Sequence, residues 1–155
     1  MSGAGSYFLD DLRVGQTFET AGYTVDADAI REFAGRFDPQ PFHLDEQAAR
    51  GTVFAGLAAS GWHTAAITMR LLVDGGLPFS GGLIGAGAEI SWPNPVRPGD
   101  VLSVASEIVD LRPSGSKPDR GWATVRSETR TADGTVVQTL LARLLVFRRP
   151  TAVTA

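Results

Sequence analysis

Two residues in the first third of the chain could carry out acid–base chemistry. Asp38 and His43 are the first and last residues of the segment DPQPFH. Imidazoles and carboxylates are the side chains most often used as general acids and bases. Pro39 and Pro41 fix φ and oppose helix continuation, so we expect a stiff, extended segment that holds both side chains in set directions. Taken alone, each residue is better explained as a turn aspartate or as a half-buried histidine.

The elements around this segment predict where it lies. Asp26 can cap a helix over about residues 27–37, because apolar residues recur at helical spacing after it. The stretch HLDEQAARG predicts a short helical turn that ends at Gly51. Asp38 and His43 therefore lie in the connection between two helical elements.

A stronger helix is predicted from the segment SGWHTAAITMRLLVDGG, residues 60–76. Ser60 is a favourable N-cap, and the Gly-Gly pair is a stop signal. Apolar residues cover most of the circumference of this helix, so we expect other elements to enclose it.

The second half of the chain supplies the enclosing structure. Strands are predicted over about residues 83–92, 101–111, 121–132 and 135–148, and the last two form a hairpin. Apolar and polar residues alternate in VLSVASEIVDL and TVVQTLLARLLVF, as in an antiparallel sheet with one face on a core. The predicted fold class is α+β, an antiparallel sheet packed on a long central helix.

Three segments resemble one family. FDPQPFHLDEQAA (residues 37–49), GLAASGWHTAA (56–66) and SWPNPVRPGDVL (91–102) are similar to the signature, the helix-opening segment and the Pro-Val-x-x-Gly-Asp turn of MaoC-like dehydratases and (R)-specific enoyl-CoA hydratases. The likeness covers most of residues 10–148. It departs from the family pattern at Gln40, where Asn is usual, and at Ser60, where His often precedes the glycine.

The resemblance implies a hot-dog fold, usually paired as a dimer or a dimer of dimers, and hydration or dehydration of an acyl thioester. Asp38 would deprotonate water, His43 would protonate the α-carbon, and the amide of Gly61 would donate to the developing enolate oxygen. An amide in the first turn of a helix suits this third role because it has no partner within the helix. Gln40, Ser60 and Trp62 would contact the substrate, whereas Trp92 and Trp122 are better explained by packing.

The expected substrate is an acyl-CoA, with an acyl-carrier-protein thioester as a variant and no separate cofactor. Arg112, Lys117 and Arg120 could bind the phosphates of coenzyme A, although a solvated hairpin loop explains them equally well. A thioesterase and a non-catalytic acyl-binding subunit are the alternative functions.

Composition, charge and motif spacing argue against several other classes of protein and site. The 155-residue chain has no cysteine and a formal net charge of −3, so we expect one domain with an ordered core over about residues 7–149, no thiolate chemistry and no nucleic-acid partner. We also expect no membrane segment and a cytoplasmic location. His43 and His63 show no metal-ligand spacing, and no strand with GxGxxG precedes a helix.

Overall fold

The computed structural model describes residues 7–151, a range that spans the ordered core expected over about residues 7–149. The helices agree closely with the sequence patterns. They are α1 (Ala27–Phe37), α2 (Pro41–Leu44), α3 (Glu46–Arg50) and α4 (Gly61–Leu71), and a 3-10 turn (Leu9–Asp11) precedes them. The predicted caps are present, since Asp26 accepts from the Ala29 amide at 2.7 Å and Ser60 accepts from the Trp62 amide at 3.2 Å.

The strands form one antiparallel sheet. They are β1 (Thr17–Glu19), β2 (Tyr23–Thr24), β3 (Ile84–Ser91), β4 (Val101–Pro113), β5 (Arg120–Arg130) and β6 (Val136–Phe147). Their order is β1-β4-β5-β6-β3, and β2 also pairs with β4. The four long strands were predicted, whereas β1 and β2 were not, because strands of three and two residues are too short to show alternation.

Helix α4 packs against β4 and β6, with Ile67, Thr68 and Leu71 buried. The expectation that α4 is enclosed on all sides is wrong within one chain. Trp62 is 59% exposed, and Met69 and Val73 are also exposed, so one apolar face of the helix is uncovered. The helix is 11 residues long and continues into a π-helical turn, Leu72–Gly76, that ends where Gly75 adopts φ +131°.

The connection that carries the candidate residues Asp38 and His43 also differs from its prediction. Pro41 begins the helical turn α2 instead of continuing an extended segment. Proline is well tolerated at the first helical position, where its missing N–H would have had no helical partner. The turn brings His43 inward, and this histidine is 4% exposed.

Candidate active site

Asp38 ends helix α1, where its amide still donates to the carbonyl of Ala34. Its Oδ1 accepts from Gln40 Nε2 at 2.5 Å, and its Oδ2 accepts from Ser60 Oγ at 2.7 Å. Burial raises the pKa of Asp38, but the hydrogen bonds from Ser60 and Gln40 and the nearby His43 outweigh burial and bring the pKa below its usual value. The carboxylate is therefore ionised at neutral pH.

His43 is oriented by a backbone group. Its Nδ1 lies 2.6 Å from the carbonyl oxygen of Ala58, and because a carbonyl can only accept, Nδ1 carries a hydrogen in both protonation states. The proton that is gained and lost is therefore on Nε2. That nitrogen lies 3.3 Å from Asp38 Oδ2, so the two groups predicted to act as a pair are adjacent.

The segment that precedes α4 places the third predicted group beside this pair. The Ala58 amide donates to the Phe42 carbonyl at 3.1 Å, and the Ala59 amide donates to the Val96 carbonyl at 2.9 Å. Ser60 is fully buried and binds both Asp38 and the first turn of α4. Gly61 is the first residue of that helix, so its N–H has no partner within the helix.

A pocket of about 520 Å³ opens beside these groups and is lined by His43, Gln40 and Gly61. Its remaining polar lining residues are Thr64 and Asn94, and the others are apolar: Phe42, Val53, Phe54, Ala59, Trp92, Pro93, Pro95, Val96 and Val137. Trp92, which the sequence assigned to packing, is a wall of this pocket. Trp62 is not among the lining residues and packs edge-on against Trp92, with ring centroids 5.1 Å apart.

Two residues that sequence reasoning missed hold the loop before Ala58. The guanidinium of Arg97 donates to the carbonyls of Phe54, Gly56 and Leu57. Glu46 Oε2 accepts from the Leu57 amide at 2.9 Å. Phe54 packs against the His43 ring at a centroid distance of 5.9 Å. The only sequence signal for Arg97 is its place in the Pro-Val-x-x-Gly-Asp turn, which identifies no contact.

A chain of hydrogen bonds, partly buried at Trp92 and buried beyond it, connects the pocket wall to the interior. Trp92 Nε1 donates to Gln138 Oε1 at 3.0 Å, and Gln138 Nε2 donates to Thr68 Oγ1 at 3.1 Å. Thr68 and Thr129 share a hydrogen bond of 2.6 Å. Gln138, Thr68 and Thr129 are each fully buried. The chain links the pocket wall to helix α4 and to strands β5 and β6.

The cations predicted to bind coenzyme A lie elsewhere in the chain. The site is at the Arg130 end of β5, because Thr129 pairs with Gln138, whereas Arg120 begins that strand. β5 has 11 residues, so its ends are roughly 33 Å apart at about 3.3 Å per residue. Arg112 and Arg120 are also paired, with Asp110 at 3.2 Å and with Asp119 at 2.8 Å. The pocket and these cations, with Lys117, are not brought together within one chain.

His63 does not join the site. Its ring stacks on Phe33 at 4.7 Å, and among the described residues its buried Nδ1 has no hydrogen-bond partner. Burial lowers the pKa of His63, and the charge of Asp26 opposes this only in part. Between residues 7 and 151, no three His, Asp or Glu side chains are grouped to share a metal ion. No helix in that range is long and apolar enough to cross a membrane.

Comparisons with solved structures identify the fold. A crystal structure of a MaoC-like dehydratase from Rhodospirillum rubrum has 59% sequence identity and a TM-score of 0.93, covering 94% of this chain and 100% of the other. The (R)-hydratase from A. caviae involved in PHA biosynthesis has 28% identity and a TM-score of 0.70, covering 90% and 98%. These likenesses confirm the predicted hot-dog fold.

The sequence comparisons lead to the same family. The uncharacterized protein YdeM of Bacillus subtilis (strain 168) is 41% identical over 108 residues, which are 68% of this chain and 75% of that protein. The family model described as MaoC like domain matches residues 11–131. The chain therefore belongs to the MaoC-like domain family.

Proposed function

We propose that the protein is a hydro-lyase that adds water reversibly across the 2,3-double bond of an enoyl-CoA. The observation that carries the proposal is one cluster: two donors favour the ionised form of Asp38, His43 Nε2 lies 3.3 Å from Asp38 Oδ2, and His43 and the helix-opening residue Gly61 line the same pocket. Adding water to a conjugated thioester needs a base, an acid and an oxyanion donor.

Each group has one role in the proposed reaction. Asp38 accepts a proton from water as the water oxygen forms a bond to C3, and protonated His43 donates the Nε2 proton to C2. The Gly61 N–H stabilises the negative charge that develops on the thioester oxygen. Transfer of the new proton from Asp38 to the adjacent Nε2 restores the starting state, so the cycle is balanced without a cofactor.

Ser60 and Gln40 support this chemistry by donating to the base. Their hydrogen bonds favour the ionised form of Asp38 and leave its Oδ2 shared between Ser60 and the space beside His43. We assign them as positioning residues, although Gln40 also lines the pocket. We do not assign phosphate binding to Arg112, Lys117 and Arg120, because these cations lie far from the pocket of their own chain.

The pocket lining favours an uncharged acyl group. Among the lining residues, the polar side chains are those of Gln40, His43, Thr64 and Asn94. Arg97 directly follows the lining residue Val96 in the sequence, but its guanidinium is already bound to three carbonyl groups. A carboxylate on the acyl chain would lose its hydration, and the lining group that carries a positive charge in the proposed reaction, His43, is already paired with Asp38 at 3.3 Å. We therefore propose aliphatic enoyl-CoAs as substrates before carboxylated ones.

The active form is proposed to be a homodimer. β3 ends the sheet, and its residues are mostly exposed on both faces. An edge strand offers unpaired backbone groups, which a second copy of the same strand can satisfy in an isologous contact. The uncovered residues Trp62, Met69 and Val73 lie on the α4 side of the same sheet. Light scattering should give the mass of a dimer, or of a dimer of dimers.

A matched pair of substitutions tests this interface. Val73→Lys places a charge in the π-helical turn that follows α4 and should reduce the mass to that of a monomer. Val14→Lys is the control, because Val14 is 62% exposed and Val73 is 55% exposed, and Val14 precedes β1, which lies at the opposite end of the sheet from β3. A monomeric native protein at micromolar concentration, or equal masses for the two variants, would rule out the proposed interface.

The decisive experiment for the activity follows the ultraviolet absorbance of crotonyl-CoA, of longer enoyl-CoAs and of a carboxylated enoyl-CoA. We expect absorbance to fall with the native protein without release of free thiol. Asp38→Asn, which keeps the shape of the side chain, is the control and should remove the change. Thiol release from saturated acyl-CoA would establish a thioesterase instead. Thioester binding with no turnover on either a coenzyme A or a carrier-protein thioester would indicate a binding subunit.

A further inference from the structure

Trp92 is in unusually close contact with the start of helix α4. A Cβ added to Gly61 would lie 2.6 Å from Trp92 Cε2 and 2.7 Å from Cδ2, which is far inside normal van der Waals contact. The indole ring therefore lies directly on the backbone of Gly61, and only glycine leaves room for it. The position of the ring and the position of the Gly61 amide are sterically coupled.

The same indole is held from behind by a fully buried amide. Trp92 Nε1 donates to Gln138, and Gln138 in turn donates to Thr68. Thr68 is on α4, the helix that Gly61 opens. The hydrogen bonds and the ring contact thus form a closed loop: from Gly61 to Trp92, through Gln138 to Thr68, and back along the helix to Gly61.

A buried glutamine in an apolar core needs a reason, because its amide costs free energy unless each polar group is paired. Here both ends of the Gln138 amide are paired, one with the pocket wall and the other with the helix. A packing role alone would be met by an apolar residue of the same volume. The glutamine instead fixes the rotation of Trp92, which sets how the ring contacts Gly61.

We infer that Trp92 and Gln138 are positioning residues that place the Gly61 amide for its role as oxyanion donor. The inference rests on the proposed function, since it gives Gly61 the donor role assigned there. The Gly61 N–H is then aligned by strand β6, through Gln138 and Trp92, as well as by helix α4. Gly61 is required here because the indole occupies the space of a Cβ.

The first test is a double-mutant cycle between Gly61 and Trp92. Gly61→Ala should lower kcat about 100-fold in the native background, as expected when an oxyanion donor is displaced. Trp92→Ala removes the ring that a new Cβ would strike. In that background Gly61→Ala should therefore lower kcat by less than about threefold, because contacting sites are not additive. Equal effects in the two backgrounds would overturn the inference and assign the glycine requirement to substrate approach.

The second test replaces Gln138 by Met, which keeps the volume but removes both hydrogen bonds. We expect kcat to fall about tenfold with KM changed less than about twofold, an effect smaller than complete loss of a donor. Trp92→Phe, which keeps a ring on Gly61 but removes the indole N–H, should behave similarly if Gln138→Met folds poorly. Ser106→Ala is the matched control, because this variant also loses a buried side-chain hydrogen bond, the one between Ser106 and Ser127 at 2.8 Å.

A spectroscopic measurement keeps this test separate from the activity. In ¹⁵N-labelled protein, Gln138→Met should shift both the Trp92 indole N–H peak and the Gly61 amide peak, whereas Ser106→Ala should shift neither. An unchanged Gly61 peak in Gln138→Met would overturn the inference whatever the kinetics. Absence of turnover in the native protein would refute the proposed function instead, and the spectra would still decide whether Gln138 positions Gly61.

Discussion

Ser60 contributes both to the stability of the fold and to the ionisation of Asp38, the proposed base, and Ser60→Ala removes both contributions. Its hydroxyl accepts from the Trp62 amide at 3.2 Å and donates to Asp38 Oδ2 at 2.7 Å. Loss of an N-cap costs about 1 kcal/mol, and loss of a hydrogen bond to a charged group costs about 1.5–3 kcal/mol. Because the Asp38 side chain is partly exposed to solvent, we use the lower value, about 1.5 kcal/mol, for the lost hydrogen bond.

We therefore expect Ser60→Ala to lower the free energy of unfolding by about 2–3 kcal/mol. Domains of this size are commonly stable by about 5–15 kcal/mol, so the variant should fold. The sign of the pH dependence follows from the lowered pKa of Asp38, which stabilises the fold above its ordinary value of 3.8. The difference between variant and native protein should be largest above that pH and should shrink as pH falls through the lowered pKa.

The pH dependence of the activity should change because of the lost hydrogen bond to Asp38, not because of the lost helix cap. Without the Ser60 donor, ionised Asp38 loses a stabilising contact, and its pKa rises. The acid limb of the kcat/KM profile for enoyl-CoA hydration should therefore move to higher pH. The measurements are urea unfolding at several pH values and initial rates across the same range.

Asp26→Ala is the control for the capping term. Asp26 accepts from the Ala29 amide at 2.7 Å and has no contact with Asp38, so this variant should lose about 1 kcal/mol of stability with an unmoved acid limb. The reasoning is refuted if Ser60→Ala leaves the limb where it is in the native protein. It is equally refuted if the limb moves as far in Asp26→Ala.

Three further predictions follow from the same contacts. Asp38→Asn and His43→Ala should each lower kcat for hydration by about 10²–10⁴-fold, and a near-native rate in either folded variant would remove that residue from the mechanism. Arg97→Met should lower the free energy of unfolding by about 3 kcal/mol, because three carbonyls lose a charged donor; an unchanged urea midpoint would contradict this. Because burial lowers the pKa of His63, protonation favours the unfolded chain, so native stability should fall as pH decreases below 6.5. His63→Met should show a flatter profile there in thermal unfolding, and identical slopes would show that His63 does not contribute.

Local patterns were sufficient for most elements because their signals are contained in short windows. Helix α1 was predicted with its cap because the Asp26 side chain and the apolar spacing act within a few residues. The four long strands followed from alternation, which one buried face imposes on each strand. Local rules were insufficient at Pro41, where the same residue can end one helix or begin another, and packing of His43 decided the outcome.

The sequence by itself, through the family resemblance of FDPQPFHLDEQAA, identified Asp38 and His43 as the candidate acid–base pair, and its capping pattern predicted the helix start at which Gly61 lies. Tertiary structure alone decided what surrounds them. Ser60 reaches Asp38 across 22 positions, Arg97 reaches Gly56 across 41 and Trp92 reaches Gln138 across 46. No periodicity or spacing rule encodes such contacts, because they exist only once the sheet has paired. For the same reason, Arg112, Lys117 and Arg120 have a charge pattern suited to phosphate, yet the length of β5 separates them from the pocket of their own chain.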